Sequence, residues 1–141
     1  MINVNPKSTS LRTGGFQAES NGYYSGMVSW RVTLKPNTWR PLTDVYETEE
    51  NIIIRVEIAG MSEGDFKIEM DQSLLSISGV RTDTPERRAY HQMEINYGEF
   101  RTEVEIMIPI DPENITAEYG DGFLIVQLPK AAPRQIRISQ D

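Results

Sequence analysis

Cysteine is absent from the chain, which excludes disulfides, thiolate zinc sites and cysteine nucleophiles and leaves a reducing compartment unproblematic. Histidine occurs once, as His91, and a lone imidazole in a short polar stretch reads as a surface residue rather than a catalyst or ligand. No apolar run reaches the roughly 20 residues that a membrane-spanning helix needs. The opening MINVNPKSTS also lacks the basic-then-apolar form of a secretory leader. The expectation is therefore a cytoplasmic protein with no membrane partner. No glycine-rich loop precedes a helical pattern, because Gly120 and Gly122 belong to a hairpin signal. A nucleophile with its base, a pocketed acid pair and metal-ligand spacing are all missing, so no catalytic, metal or cofactor residues are expected and the chain reads as a non-enzyme. Glu57, Glu69, Glu103 and Glu105 stand at strand-alternate positions and are expected to face water. The sequon Asn114-Ile115-Thr116 is incidental without a leader.

What is present fits one domain with tails: 141 residues, enough in the middle to bury a core without staples. The net charge of −7 is unevenly spread. Residues 1–41 carry five basic side chains against Glu19, giving +4; residues 42–129 carry six basic and nineteen acidic ones, giving −13; residues 130–141 give +2. Basic arms thus flank an acidic body. The arms are either ordinary solvated surface or docking elements drawn to neighbouring bodies. The acidic body disfavours a nucleic-acid partner.

The organising stretch is GDGFLIVQLPK, residues 120–130. Asp121-Gly122 signals a tight turn, and the six β-forming residues after it are stopped by Pro129. Phe123, Ile125 and Gln127 face one way, and Leu124, Val126 and Leu128 the other. Upstream, short strand patterns recur at sandwich spacing. Ile52, Ile54, Val56 and Ile58 share one face. Phe66, Ile68 and Met70 share another, joined through Asp71-Gln72 to Leu75 and Ile77 as a hairpin. Phe100, Thr102, Val104, Ile106 and Ile108 form the longest alternation, and a turn at Asp111 to Asn114 leads into Ile115 to Tyr119. Residues 81–88, RTDTPERR, form an exposed loop, after which AYHQ adds at most a very short strand. Residues 1–26 are too polar and irregular to predict a packed element and read as a mobile arm. Val28, Trp30, Val32 and Leu34 alternate as a short strand. Trp30 and Trp39 make this arm an apolar contact surface or a flap on its own domain.

Taken together, the segments resemble the small heat shock protein family: an α-crystallin domain followed by a C-terminal extension. The residues that carry the resemblance are PLTDVYET from Pro41, the block IIIRVEIAGMSEGDFKIEM, LLSISGVR, YHQMEINYGEF, AEYGDGFLIVQLPK and the ending Ile136-Arg137-Ile138. The chain departs from the family in having Ala59-Gly60 where a Pro-Gly is usual and Gly122-Phe123-Leu124 in the glycine-valine-leucine signature. Glu94-Ile95 and Thr102 stand where the family commonly places arginines, so an arginine-centred dimer salt bridge is not implied. What the resemblance implies is an all-β, immunoglobulin-like β-sandwich at 42–129, an N-terminal arm at 1–41 and an extension at 130–141. It further implies dimers that assemble into larger homo-oligomers, and ATP-independent holding of unfolding proteins without a cofactor.

Four sets of residues follow. Ala89, Tyr90, His91 and Gln92 are expected to pair with a partner's edge as an exchanged strand, since a long Pro-interrupted loop ties them poorly to their own sheet. Pro133 keeps the linker extended and alternation puts Ile136 and Ile138 on one face, so they are expected to tether dimers as an added strand. The expected receptor is a groove between the strand of Leu74, Leu75 and Ile77 and the strand of Phe123, Leu124, Ile125 and Val126; otherwise the tail is a lid on its own chain. Leu11, Phe16, Tyr23, Tyr24, Met27, Trp30 and Trp39 are expected to contact unfolded clients. Two further readings remain: a monomeric co-chaperone-type module acting on folded partners, for which the Ile-x-Ile ending has no use, and a sandwich hydrolase, for which the nucleophile is missing.

Overall fold

The structure is a computed structural model that describes residues 2–6, 17–19, 28–33, 37–132 and 138–139; for residues 6, 17–19 and 28–33 it describes the backbone alone. Ten strands are present: β1 Val4–Pro6, β2 Gln17–Glu19, β3 Val28–Thr33, β4 Thr43–Glu47, β5 Asn51–Glu57, β6 Phe66–Asp71, β7 Leu74–Arg81, β8 Gly98–Ile106, β9 Thr116–Gly120 and β10 Phe123–Pro129. They form two sheets, one ordered β1-β6-β7-β8-β3-β2 and the other β4-β5-β10-β9. Apart from two short 3-10 turns, Glu63–Asp65 and Pro112–Asn114, no helix occurs among the described residues. The fold is an all-β sandwich.

Alternation decides which side chains fill it. Ile52, Ile54 and Val56 from β5 and Leu124, Val126 and Leu128 from β10 meet Ile68, Leu75, Ile77, Phe100 and Val104 from the facing sheet, all nearly or wholly without solvent contact. Turn chemistry fixes the register. Asp121 and Gly122 have φ of 52° and 83°, the double positive φ of a type I′ turn, which suits the twist of β9 and β10. Gln72, with φ of 55°, sits in the turn that brings Asp71 opposite Leu74 in the β6–β7 hairpin.

Gly79 is required for space. A Cβ there would lie 2.5 Å from the carbonyl oxygen of Asp65 and 2.7 Å from Cζ of Phe100. Backbone and a buried ring flank it, and neither is free to swing away. Gly79→Ala is expected to cost about 2–3 kcal/mol by overpacking, which lowers Tm by roughly 8 °C or more for a domain of this size. A thermal melt within 2 °C of the parent, on the scale of about 4–8 °C per kcal/mol, would contradict that close approach.

Two expectations change. The first 26 residues contribute β1 and β2, short pieces that carry no periodic signal because strands of three residues are shorter than the windows in which alternation is read. Glu69 and Glu103 are not solvated: they are 7% and 3% exposed. Both stand on the outer face of the six-stranded sheet, where Glu69 pairs with Ser76 and with Asn5 of β1. Glu103 lies between Ser76 of β7 and Arg31 of β3 in the ladder. Strands added on both flanks cover acids that alternation alone assigns to water. Glu57 is exposed and Glu105 half-buried. The chain is anchored from Trp39, whose amide and carbonyl bond Glu99 and Arg101 at 3.0 Å each, through Lys130 and Ala131, whose amides reach Glu50 and Pro109 at 2.9 and 3.0 Å.

Candidate assembly and client-binding interface

Residues 82–97 leave the sandwich between paired neighbours. Arg81 at the end of β7 stands opposite Gly98 at the start of β8, so the sixteen residues between them are an insertion at a hairpin end that two residues would close. They form no strand, and all but Tyr97 and its neighbours stand well away from the core. Ala89, Tyr90, His91 and Gln92 are all exposed and lie in no strand among the described residues. Met93 and Ile95 are each 62% exposed. The insertion is braced mainly against itself. Arg88 approaches Asp83 at 3.4 Å and also meets Thr84 and Glu86. The Tyr90 hydroxyl donates to Asp83 at 2.9 Å, and that bond, followed by the Thr84 amide and the Arg88 charge, holds the Asp83 carboxyl below its ordinary range.

Arg81 secures the root of the insertion. Its guanidinium donates to the carbonyl oxygens of Asn96 and Ala59, at 2.9 and 3.2 Å, and lies over the rings of Trp39 and Tyr97, 4.6 and 5.4 Å from their centroids. In sequence it is one basic residue in a charged run, and only its place at the end of an apolar strand hints at more. Trp39 is thereby claimed by the fold. Its ring packs 5.6 Å from that of Phe100, and its indole N–H donates to the Gly98 carbonyl at 3.3 Å. Expected as a client contact, Trp39 instead pins the chain onto β8, because its bridge to Phe100 sets it over the core. Trp30 lies on β3, opposite Val104 of β8. Leu11, Phe16, Tyr23, Tyr24 and Met27 lie outside the described residues.

The strands of the expected tether groove are central ones. β7 lies between β6 and β8, and β10 between β5 and β9, so neither has an edge to which a strand could be added. Leu75, Ile77, Leu124 and Val126 are fully buried, Leu74 is nearly so, and only Phe123 and Ile125 reach the surface. Strand identity is legible from apolar alternation, but strand order is not. On that side of the sandwich β9 is an edge strand and β6 is flanked by β1; between them Phe66 packs 5.0 Å from Tyr119, and the Tyr119 hydroxyl donates to the Ile58 carbonyl at 2.8 Å. Of the tail, Ile138 is 87% exposed and Ile136 lies outside the described residues.

Residues 44–140 match the Hsp20/alpha crystallin family. The chain belongs to that family. Small heat shock protein C4 of Rickettsia felis is 30% identical over 104 residues, covering 70% of this chain and 64% of its own length. The chain thus spans less than two thirds of that relative. Heat shock protein 16 of Schizosaccharomyces pombe is 28% identical over 130 residues, 87% of this chain and 91% of the yeast protein. The crystal structure of a small heat-shock protein from Xylella fastidiosa superposes with a TM-score of 0.62 at 26% identity, covering 73% of this chain and 99% of that one. The family match runs from within β4 through β10 and includes residues 82–97.

Where the family commonly carries an arginine, Thr102 is instead buried and accepts from the Thr43 hydroxyl at 3.1 Å. Arg101 points to the opposite face, bonding Glu103 at 2.7 Å and Ser76 at 3.2 Å within its own chain. Among the described residues, no three His, Cys, Asp or Glu side chains are grouped to hold a metal, and no helix is long and apolar enough to cross a membrane.

Proposed function

We propose that this small heat shock protein is an ATP-independent holdase, a chaperone that binds unfolding proteins and keeps them from aggregating, and that it works as dimers assembled into larger homo-oligomers. One observation carries the reading. The apolar side chains left outside the core, Tyr90, Met93, Ile95 and Ile138 among them, sit on the insertion and the extension rather than on the sandwich faces alone. Apolar surface on segments without a sheet partner suits association with a second copy or with an unfolded chain. The Xylella relative, whose structure is described as having a distinct high-order arrangement, supports assembly beyond a dimer.

In this reading residues 89–92 pair with a partner's sheet edge to make the dimer, and Ile136 and Ile138 tether one dimer to the next. Leu11, Phe16, Tyr23, Tyr24 and Met27 supply client contact, together with Trp30. The +4 arm and the −13 body draw neighbours together, an attraction screened beyond about 8 Å at physiological ionic strength.

The test of client contact keeps the sheet intact. Replacing Leu11, Phe16, Tyr23, Tyr24 and Met27 together with serine is expected to remove most protection of a heat-labile client, measured by light scattering, while the melting temperature stays within about 2 °C, below the roughly 4–8 °C that a loss of 1 kcal/mol gives. Full protection by that variant would refute client binding through the arm.

A further inference from the structure

β10 is apolar on both of its faces. Leu124, Val126 and Leu128 enter the core, whereas Phe123 and Ile125 point out of the sandwich, Phe123 40% exposed and Ile125 half-buried. Neighbouring strands continue the strip. On β5 the outward residue Ile53 stands opposite Gln127, and on β4 Tyr46, 43% exposed, stands opposite Ile53. The four-stranded sheet thus carries, on the side away from the core, a diagonal apolar strip from Phe123 through Ile125 and Ile53 to Tyr46. Apolar side chains gathered in this way on an outer face mark a surface for association.

Charge frames the strip. Ile125 lies between Arg55 of β5 and Glu118 of β9, and Phe123 between Glu57 of β5 and Gly120 of β9, at the spacing over which cross-strand side chains interact. The Arg55 guanidinium is already engaged, since it donates to the Asp44 carboxylate at 2.7 Å and lies 5.7 Å from the centre of the Tyr46 ring. Glu57 and Glu118 are exposed, and among the described residues neither has an ion-pair partner. Three carboxylates, Asp44, Glu57 and Glu118, against the one cation Arg55 leave the face with a local charge of −2.

That charge selects the occupant. Two such faces brought together would set Glu57 and Glu118 against acids of the same kind, and like charges disfavour the pairing. An extended apolar segment with basic residues at its ends fits instead. Segments that aggregate when a protein unfolds have that form, because charged residues flank an unavoidable apolar run and keep it from pairing in the folded state. We infer that the outer face of β4, β5 and β10 docks lysine- or arginine-flanked apolar segments of unfolding proteins, with Phe123 and Ile125 meeting the apolar run and Glu57 and Glu118 its basic flanks. This rests on the holdase reading and adds a second client surface, on the sandwich rather than on the arm, together with a charge preference.

The experiment uses the full chain and two fluorescein-labelled peptides that share a core of alternating valine and phenylalanine. One core is flanked by lysines and the other by glutamates, and binding is read by anisotropy at low ionic strength. The parent is expected to hold the lysine-flanked peptide about fivefold more tightly, as a pair of exposed ion pairs allows. Glu57→Gln with Glu118→Gln is expected to bring the two affinities together, whereas the same charge removed from the insertion, by Glu86→Gln with Glu94→Gln, leaves the preference in place. Phe123→Thr with Ile125→Thr is expected to weaken both peptides by about tenfold. A preference that survives E57Q/E118Q, or one that E86Q/E94Q removes equally, overturns the proposal. Unchanged affinity in F123T/I125T overturns it too, and a smaller assembly mass in that variant would then assign the face to a second copy. Should F123T/I125T fail to fold, the two charge variants decide alone. A parent that leaves the scattering of a warmed client unreduced overturns the holdase reading itself; a parent that suppresses scattering while its face variants bind both peptides as it does overturns the docking face alone.

Discussion

Replacing Ile136 and Ile138 together with serine is expected to reduce large assemblies to dimers while the thermal transition of the sandwich stays nearly unchanged. Ile138 is 87% exposed in the single chain, and among the described residues the last backbone bond from the extension into the sandwich is that of Ala131 to Pro109. Burying two isoleucines at a neighbour's edge is worth about 1.5–3 kcal/mol each before the cost of ordering the tail. One such tether is weak, and many in a closed assembly act together yet remain reversible. Sedimentation or light scattering coupled to chromatography reads the result. Assemblies of parental mass, accompanied by a lowered melting temperature, would show that the tail instead closes over its own chain.

The second large effect concerns the insertion. Replacing residues 82–94 with a tight turn is expected to give folded monomers. Arg81 and Gly98 are already register partners, so a short turn closes the hairpin without moving β7 or β8, and keeping residues 95–97 preserves the bonds from Arg81 to Asn96 and its stacking on Tyr97. What is lost is the exposed stretch containing Ala89, Tyr90, His91 and Gln92, of which Tyr90 bonds Asp83 and Arg88 within the insertion. A dimer that persists after this replacement would place the dimer contact elsewhere on the sandwich.

The parts of the fold that were legible in the sequence are those where one face of a strand meets the core and the other meets water. Ile52, Ile54 and Val56, or Phe100, Thr102, Val104 and Ile106, announce their strands because alternation is itself the burial pattern. Asp121-Gly122 was equally readable, since its two positive φ values are a local requirement. What escaped notice depends on partners distant in sequence. β1 is three residues of ordinary composition whose strand character comes from β6. Glu69 and Glu103 look solvated until β1 and β3 flank them. Arg81 looks like loop charge until Trp39, Ala59 and Asn96 arrive around it. The strands named as the tail's groove show the same dependence: Leu75 and Val126 are apolar because they are central, and an edge is a property of strand order.

The holdase reading stands or falls on a single measurement. A heat-aggregating client is warmed with the full-length protein, with and without ATP, and its light scattering is followed over time. The account predicts suppression of scattering that grows with the ratio of protein to client and is the same in both arms. Scattering as high as for client alone, or suppression seen only when ATP is added, would contradict it.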